Sequence, residues 1–348
     1  MKTRKTNKKH DKVKRSLSLF YVITLSLFLS SCVTEEEYAD TPRGNFEALW
    51  HIIDEHYCFF DYKNKEYGLD WNEVYARYAP QFDDGMSARQ KFEVLTNMLT
   101  ELRDGHVNLY TSFDMGRYWS WFEDYPSNYS SELIDRYLGT DYQIANGMRY
   151  RVLDDNIGYL RCSSFSNELG EGNLDQILLY LAPCRGLIID LRDNGGGLVT
   201  SAEQLAARFT NEEVLVGYMQ HKTGRGHNDF SDMQEQRLKP SNGLRWQKPV
   251  CVLTNRSVFS AANEFVKYMK CLPQVTVVGD RTGGGAGLPF SSELPCGWAI
   301  RFSACPMYDS NRQSTEFGIE PDIRVDMKQE DQIGGVDTII EQARSQFK

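Results

Sequence analysis

The chain has 348 residues, of which 41% are hydrophobic and 12% aromatic, so it can bury a core and is neither disordered nor fibrous. The length indicates one large domain or two ordinary ones. The formal net charge is −9, and loss of residues 1–31, with eight basic and one acidic residue, lowers it by seven to −16. So acidic a protein repels phosphates, which argues against a nucleic-acid partner.

The N-terminal segment has the order of a secretory signal. A basic stretch is followed by a short uncharged apolar run and then by Cys32, which is too short and wrongly flanked for a membrane span. Leu29-Ser30-Ser31-Cys32 resembles a bacterial lipoprotein processing site, in which the cysteine is lipidated and becomes the mature N-terminus. We therefore expect a lipoprotein signal peptide over 1–31 and a tether over 32–43. An ordinary signal peptide or an anchor helix is the alternative.

The tether carries an acidic patch, Thr34-Glu35-Glu36-Glu37. It resembles the surface-export signals of lipoproteins in Bacteroidetes-type bacteria, although a solvated tether has the same composition. The expected location is the bacterial cell envelope, on the outer membrane, facing either the periplasm or the outside. The membrane is reached through the lipid on Cys32.

Seven further cysteines follow Cys32 without any CxxC pair, so a zinc site is not expected. Cys184 and Cys251 lie in apolar runs and are predicted to be buried.

A small helical region is predicted over 44–105. The stretch NFEALWHIIDEHY has one apolar face at helical spacing. WNEVYARYAPQF and SARQKFEVLTNMLTELRDGH indicate two further helices, and Gly105 fits a cap that ends the last one. Within the connecting segment 106–150, residues 110–148 show no sustained period and are predicted to be irregular apart from a short hairpin near 141–153.

From 151 to 348 strands alternate with helices, which indicates α/β layers. GLIIDLR is a near-continuous apolar strand of the kind buried on both faces of a sheet. A helix is predicted over 200–209, and another after Ser260. Residues 221–247 are polar and read as a loop.

The turn Asn194-Gly195-Gly196-Gly197 joins the buried strand to a helix. Successive glycines let the backbone turn sharply and expose N–H groups, which stabilise negative charge at a helix N-terminus. That charge is a phosphate or the oxyanion of an acyl transfer. The turn matches neither GxGxxG nor a Walker loop, which disfavours nucleotides. A plain strand-to-helix turn is the structural alternative.

Ser260 stands where a strand meets a helix, in VLTNRSVFSAANEF. It is either a helix N-cap or a nucleophile that gains from the helix dipole, with the Ala261 N–H as oxyanion donor. A serine nucleophile needs a base. His106 precedes an alternating apolar stretch at an element boundary, whereas His51 and His56 are five apart and do not share a helix face.

Four segments in order, DLRDNGGG, NRSVFSAANE, VVGDRTGGG and FGIEPDI, resemble the core of the tail-specific or C-terminal processing peptidase family. LRDGH resembles the branch of the tricorn core protease and the interphotoreceptor retinoid-binding protein. The resemblance implies a Clp protease/crotonase-like ββα core within an α/β fold. It also implies a Ser260 nucleophile, a His106 base, an orienting Glu316 with Glu320 as second candidate, and an oxyanion hole of Gly196 and Ala261.

Two departures from the family pattern bear on the mechanism. Gly285 stands where the processing peptidases have their lysine, and Lys267 is about 10 Å along the helix from Ser260, so a serine–lysine dyad is excluded. Gly105 replaces the serine that precedes the histidine in tricorn. Residues 107–150 are also too few for a PDZ domain, which argues against recognition of a free C-terminus.

The predicted function is that of a serine endopeptidase acting on a peptide or protein, without metal or cofactor. The alternative is a catalytically inactive binding protein for a peptide or apolar ligand on the same scaffold. A carbohydrate-active enzyme would need paired carboxylates at a defined separation, which the sequence does not fix.

Overall fold

The structure, a computed structural model, describes residues 38–347. The predicted signal peptide, Cys32 and the acidic patch lie outside the described residues. The helices are α1 (Pro42–His56), α2 (Phe60–Tyr67), α3 (Trp71–Tyr78), α4 (Ala88–Thr100), α5 (Ser120–Glu123), α6 (Ser131–Leu138), α7 (Glu171–Leu181), α8 (Val199–Ala206), α9 (Ala261–Lys270), α10 (Gln329–Ile333) and α11 (Thr338–Ser345). Short 3₁₀ turns follow α3 and α8.

The strands form two sheets. They are β1 (Asn108–Tyr110), β2 (Met115–Arg117), β3 (Gln143–Ala145), β4 (Met148–Val152), β5 (Ile157–Arg161), β6 (Gly186–Asp190), β7 (Val214–Met219), β8 (Gln234–Leu238), β9 (Val250–Thr254), β10 (Val275–Gly279), β11 (Gly287–Glu293), β12 (Ala299–Tyr308) and β13 (Ile323–Arg324). This is the predicted mixed α/β fold with a helical region at its N-terminus.

Two of the N-terminal helices, α1 and α4, begin at residues that cap them. The Thr41 side chain accepts a hydrogen bond from the Gly44 N–H, and Pro42 occupies the first turn of α1, where its missing N–H costs nothing. Ser87 and Gln90 form a capping box at the start of α4. The apolar face of α1 is fully buried, so packing rather than intrinsic propensity stabilises this short helix.

The larger sheet has the order β13-β10-β9-β6-β5-β4-β3. Its pairings are parallel from β13 to β5 and antiparallel from β5 to β3. Leu187, Ile188 and Ile189 of β6 have no exposed surface, as expected for a central parallel strand covered on both faces. One face packs against α7, α8 and α9, and the other against α6 and α11.

The smaller sheet has the order β2-β1-β12-β7-β8, with β11 also paired to β12. Two sequence predictions are wrong here. Residues 110–148 are not irregular outside the hairpin, because they contain β2, α5 and α6. The polar stretch 221–247 is not all loop, because it contains β8, which pairs with β7. The residues of β8 are mostly polar, so the strand shows no alternation of apolar and polar residues in the sequence. The predicted hairpin near 141–153 is present as β3 and β4.

The described residues from Asp40 onward belong to one compact unit, and the predicted divisions after 105 and 150 fall within it. All seven cysteines of the described part are free thiols, and Cys184 and Cys251 are buried as predicted. Between residues 38 and 347 no helix is both long and apolar enough to span a membrane.

Two neighbouring parallel strands bring the glycine turn and Ser260 together. β6 pairs with β9, so the turn 194–197 after β6 and the junction after β9 leave the same edge of the larger sheet. His106 comes from elsewhere. It lies two residues before β1, whose Asn108 pairs with Arg301 of β12 in the smaller sheet.

Candidate active site

Ser260 does not cap α9. Its backbone has φ 57° and ψ −123°, and its side chain makes no capping hydrogen bond. A non-glycine residue in this region is strained by about 1–3 kcal/mol and persists only where its surroundings impose it. The Ser260 N–H donates to the Gly284 carbonyl at 2.9 Å, and the Ser260 carbonyl accepts from Glu264 at 3.0 Å. The backbone is thus fixed at both ends while the hydroxyl stays free of helix capping.

The hydroxyl of Ser260 faces His106. The distance between His106 Nε2 and Ser260 Oγ is 3.0 Å, across 154 residues of sequence. Only 3% of His106 is exposed. The 3.0 Å distance between Nε2 and Oγ is the separation that a serine nucleophile and its histidine base require.

Asp104 fixes the turn that carries His106. One carboxylate oxygen accepts from the His106 backbone N–H at 2.7 Å, and the other accepts from the Tyr57 hydroxyl at 3.0 Å and the Ser303 hydroxyl at 2.8 Å. The turn is therefore tied to the N-terminal helices and to β12 at once. The sequence analysis did not identify Asp104. Its position, a carboxylate two residues before the histidine, is the pattern that could have indicated it.

Burial lowers the pKa of His106 from its ordinary 6.5 to about 4. Arg301 and Lys63 also lower this pKa by repelling the charged imidazolium, while the Asp104 carboxylate raises it. His106 is therefore neutral at neutral pH. A neutral imidazole with Nε2 unprotonated can accept the hydroxyl proton of Ser260.

Glu316, predicted to orient His106, is engaged elsewhere. One of its oxygens accepts from the Lys63 ammonium at 3.0 Å and the other from the Ala286 N–H at 3.0 Å. Within residues 38–347 the buried His106 Nδ1 has no hydrogen-bond partner. The prediction of a direct Glu316–His106 contact is therefore wrong. The Glu316 carboxylate is paired with a lysine from α2, and the sequence alone could not show that pairing.

Lys63 is the second residue that the sequence did not reveal. Its side chain is fully buried, and its ammonium also donates to the Arg103 carbonyl at 3.0 Å and lies 4.3 Å above the Phe317 ring. Burial raises the pKa of Glu316, and Asp104 adds to this, while Lys63 opposes it. The FDYKNKEY helix reads as a solvated element, so nothing local marks Lys63 as internal.

The two predicted oxyanion donors differ in the structure. The Ala261 N–H, at the first turn of α9, enters no backbone hydrogen bond of the described residues. The Gly196 N–H, by contrast, donates to Asn194 Oδ1 at 3.0 Å, so it is not free as predicted. Gly196 still shapes the site, because at φ 96° a Cβ there would lie 2.8 Å from Ser260 Cβ.

The positions that could have supplied a lysine base are accounted for. A Cβ on Gly285, which has φ 78°, would lie 2.5 Å from the Phe259 ring. Lys267 Nζ lies 2.5 Å from Glu264 Oε2 and donates to Gln236 Oε1 at 2.9 Å. Neither provides an amine to Ser260. Across residues 38–347, no three His, Cys, Asp or Glu side chains are grouped so that they could hold a metal ion.

Two family models match separate parts of this chain. The model of peptidase family S41 matches residues 156–325, and that of the tricorn protease C1 domain matches residues 38–100. A crystal structure of a candidate peptidase from Parabacteroides merdae is 54% identical, covers 89% of this chain and 97% of that chain, and has a TM-score of 0.85. The α/β fold and the serine–histidine contact are typical of serine-type hydrolases. The chain belongs to peptidase family S41.

More distant relatives are longer proteins. A carboxy-terminal-processing protease of Bartonella bacilliformis is 26% identical over 213 residues, which are 60% of this chain and 47% of that protein. A carboxy-terminal processing protease of Bacillus subtilis is 23% identical over 50% of this chain and 36% of its own length. The chain thus spans less than half of each.

Mature CPAF complexed with lactacystin shares the fold. It is 12% identical, with a TM-score of 0.70, and the match covers 88% of this chain and 97% of that chain.

Proposed function

We propose that the protein is a serine endopeptidase in which Ser260 is the nucleophile and His106 the general base. The observation that carries this proposal is the 3.0 Å contact between His106 Nε2 and Ser260 Oγ. The strained backbone at Ser260 supports it, because such strain concentrates at functional sites. The lowered pKa of His106 supports it too, since the imidazole is unprotonated at neutral pH.

The reaction proceeds by acyl transfer. Ser260 Oγ attacks the scissile carbonyl carbon while its proton moves to His106 Nε2. The tetrahedral intermediate collapses as the imidazolium gives that proton to the leaving amine, so the C–N bond breaks and an ester forms. Water then attacks the ester while His106 takes its proton. The acyl–Oγ bond breaks as the imidazolium returns that proton to Ser260 Oγ, which releases the acid product and free serine.

The oxyanion is held by backbone N–H groups. The Ala261 N–H supports this role because it is uncommitted and belongs to the positive end of α9. We assign the second donor to Gly197 rather than Gly196. The Gly197 N–H enters no hydrogen bond of the described residues, and its bridge to Phe165 uses only the flanking carbonyl of Gly196 and N–H of Leu198.

The substrate is a peptide or protein, as the family implies. A cavity of about 250 Å³ lies next to the site: Gly105 and Phe259, which precede His106 and Ser260 in the chain, line it, whereas His106 and Ser260 do not. Its remaining lining mixes aromatic residues, including Tyr67, Trp121 and Tyr125, with charged ones of both signs. Such a lining offers both ring surfaces and charges to a bound polypeptide.

We also propose that the enzyme works in the bacterial cell envelope, attached to the outer membrane through a lipid on Cys32. The motif Leu29-Ser30-Ser31-Cys32 after a basic and apolar leader supports this. Metabolic labelling with a fatty-acid analogue tests it. Label in the wild type and none in Cys32→Ala is expected, and equal labelling of both would contradict it.

The peptidase proposal is tested by hydrolysis of unfolded protein and of a peptide library. The wild-type chain is expected to cleave internal bonds, and Ser260→Ala and His106→Gln to fold normally without cleavage. Thr111→Ala, which changes a hydroxyl on an exposed turn, is the control. Cleavage retained by Ser260→Ala would refute the assignment.

A further inference from the structure

His106 lacks the acid that usually orients a catalytic histidine, yet its ring is packed. Its Nδ1 is buried without a hydrogen-bond partner in the described part of the chain. The imidazole instead lies against the Phe259 ring, with 4.7 Å between ring centroids. Phe259 in turn stacks on Trp121, with centroids 4.3 Å apart and planes 26° apart. The imidazole is tilted by 51° to the Phe259 ring, so the three rings are in contact one after another and the series ends at the base.

Two glycines make room for the indole. A Cβ on Gly105 would lie 2.7 Å from Trp121 Nε1, and a Cβ on Gly283 would lie 2.3 Å from the other side of the indole and equally close to the Arg256 carbonyl oxygen. Neither glycine has a positive φ, so neither is required by backbone conformation. The absent side chains are therefore explained by space. A side chain at position 105 would collide with Trp121, so the residue before the histidine is confined to glycine.

The backbone of Trp121 is also anchored. Its carbonyl accepts two hydrogen bonds from the Arg256 guanidinium, at 2.8 and 3.1 Å, and the same group donates to the Thr282 carbonyl at 3.0 Å. Arg256 is only 7% exposed. Two donors of a buried arginine on one carbonyl oxygen hold a short helix, α5, that has no side-chain cap of its own.

We infer that Trp121 is a positioning residue for His106: its indole, seated between Gly105 and Gly283, presses Phe259 against the imidazole and holds Nε2 toward Ser260. This aromatic clamp (Trp121, Phe259 and the two glycines) performs the orienting task for which no hydrogen-bonded acid is present among the described residues. The inference rests on the proposed function, since it assigns a role in the same serine–histidine reaction.

The clamp also keeps water from the base. Burial is the largest cause of the lowered pKa of His106. Three charged groups also shift this pKa: Asp104 in the same turn, Lys63 from α2 and Arg301 from β12. Loss of the indole exposes this side of the site, so the pKa of His106 is expected to rise toward its ordinary 6.5.

The experiment measures the acylation rate of the full chain by a fluorophosphonate from about pH 3.5 to pH 9. Trp121→Ala is expected to react at least tenfold more slowly, with the midpoint of its acid limb displaced upward by about one unit or more. Trp121→Phe is expected to keep most of the rate. Trp119→Ala is the matched control, because Trp119 lies in the same segment, is 37% exposed and packs edge-on against Phe122 instead.

A histidine titration by NMR separates this inference from the proposed function. The His106 resonance, assigned by its loss in His106→Gln, is followed in each variant whether or not the protein reacts. A higher pKa in Trp121→Ala but not in Trp119→Ala supports the clamp. An unchanged pKa with a wild-type acylation rate overturns it, as does a rise in KM alone, which would make Trp121 only a wall of the substrate cavity. A wild type that never acylates refutes the serine mechanism instead.

Discussion

Replacing Lys63 with methionine tests the buried charge pair that joins the N-terminal helices to the core. The Lys63 ammonium is fully buried and forms an ion pair with Glu316 at 3.0 Å. Methionine keeps most of the volume but leaves the carboxylate without its cation. Removing one partner of a buried ion pair costs about 3–5 kcal/mol. We therefore expect the free energy of unfolding to fall by about 3–5 kcal/mol at about pH 8.

The loss depends on pH in a defined direction. Burial already raises the pKa of Glu316 above its ordinary 4.5, and removal of Lys63, which opposes that shift, raises it further. A group with a raised pKa in the folded state contributes stability that is complete below its unfolded pKa and is lost as pH rises through the folded value. The penalty of Lys63→Met is therefore small near pH 4.5 and grows toward pH 8.

Urea unfolding at both pH values measures this. Lys65→Met is the matched control, because Lys65 lies on the same helix in an exposed pair with Asp61 and should cost less than about 0.5 kcal/mol. Lys63→Met with Glu316→Gln should lose the pH dependence. A cost below about 1 kcal/mol at pH 8, or equal costs at both pH values, would refute the reasoning.

Three further outcomes follow from the site. Ser260→Gly should abolish hydrolysis and raise stability by about 1 kcal/mol relative to Ser260→Ala, because it relieves a positive φ; a less stable glycine variant in urea unfolding would contradict this. The kcat/KM of the wild type should fall on its acid side near pH 4, where His106 becomes charged; a midpoint near 6.5 would contradict the buried base. Tyr57→Phe should cost about 1.5–3 kcal/mol in thermal or urea unfolding, because it removes a hydrogen bond to the Asp104 carboxylate, whereas Tyr110→Phe, at an exposed ring, should cost less than about 0.5 kcal/mol.

Local signals sufficed for the elements around Ser260. The apolar run of β6, the glycines after it and the strand-to-helix junction after β9 are short-range patterns, and the structure contains each of them. Pairing His106 with Ser260 could not come from such patterns, since 154 residues separate them. That pairing depended on the resemblance to the peptidase family.

The remainder of the site was hidden because long-range packing decides it. Lys63 lies in a helix whose composition indicates solvent exposure, and only its burial against Glu316 shows otherwise. Trp121 lies in a stretch without apolar periodicity. The Ser260 conformation was also invisible, because serine before a helix ordinarily predicts a cap.

The central claim is that Ser260 is a nucleophile activated by His106. Reaction of the full chain, in detergent, with a fluorophosphonate followed by intact-mass and peptide mass spectrometry tests it most directly. We predict one adduct, on Ser260, that is absent from Ser260→Ala and forms at a greatly reduced rate in His106→Gln. A folded wild type that forms no adduct, or an adduct on another serine that persists in Ser260→Ala, would contradict the account.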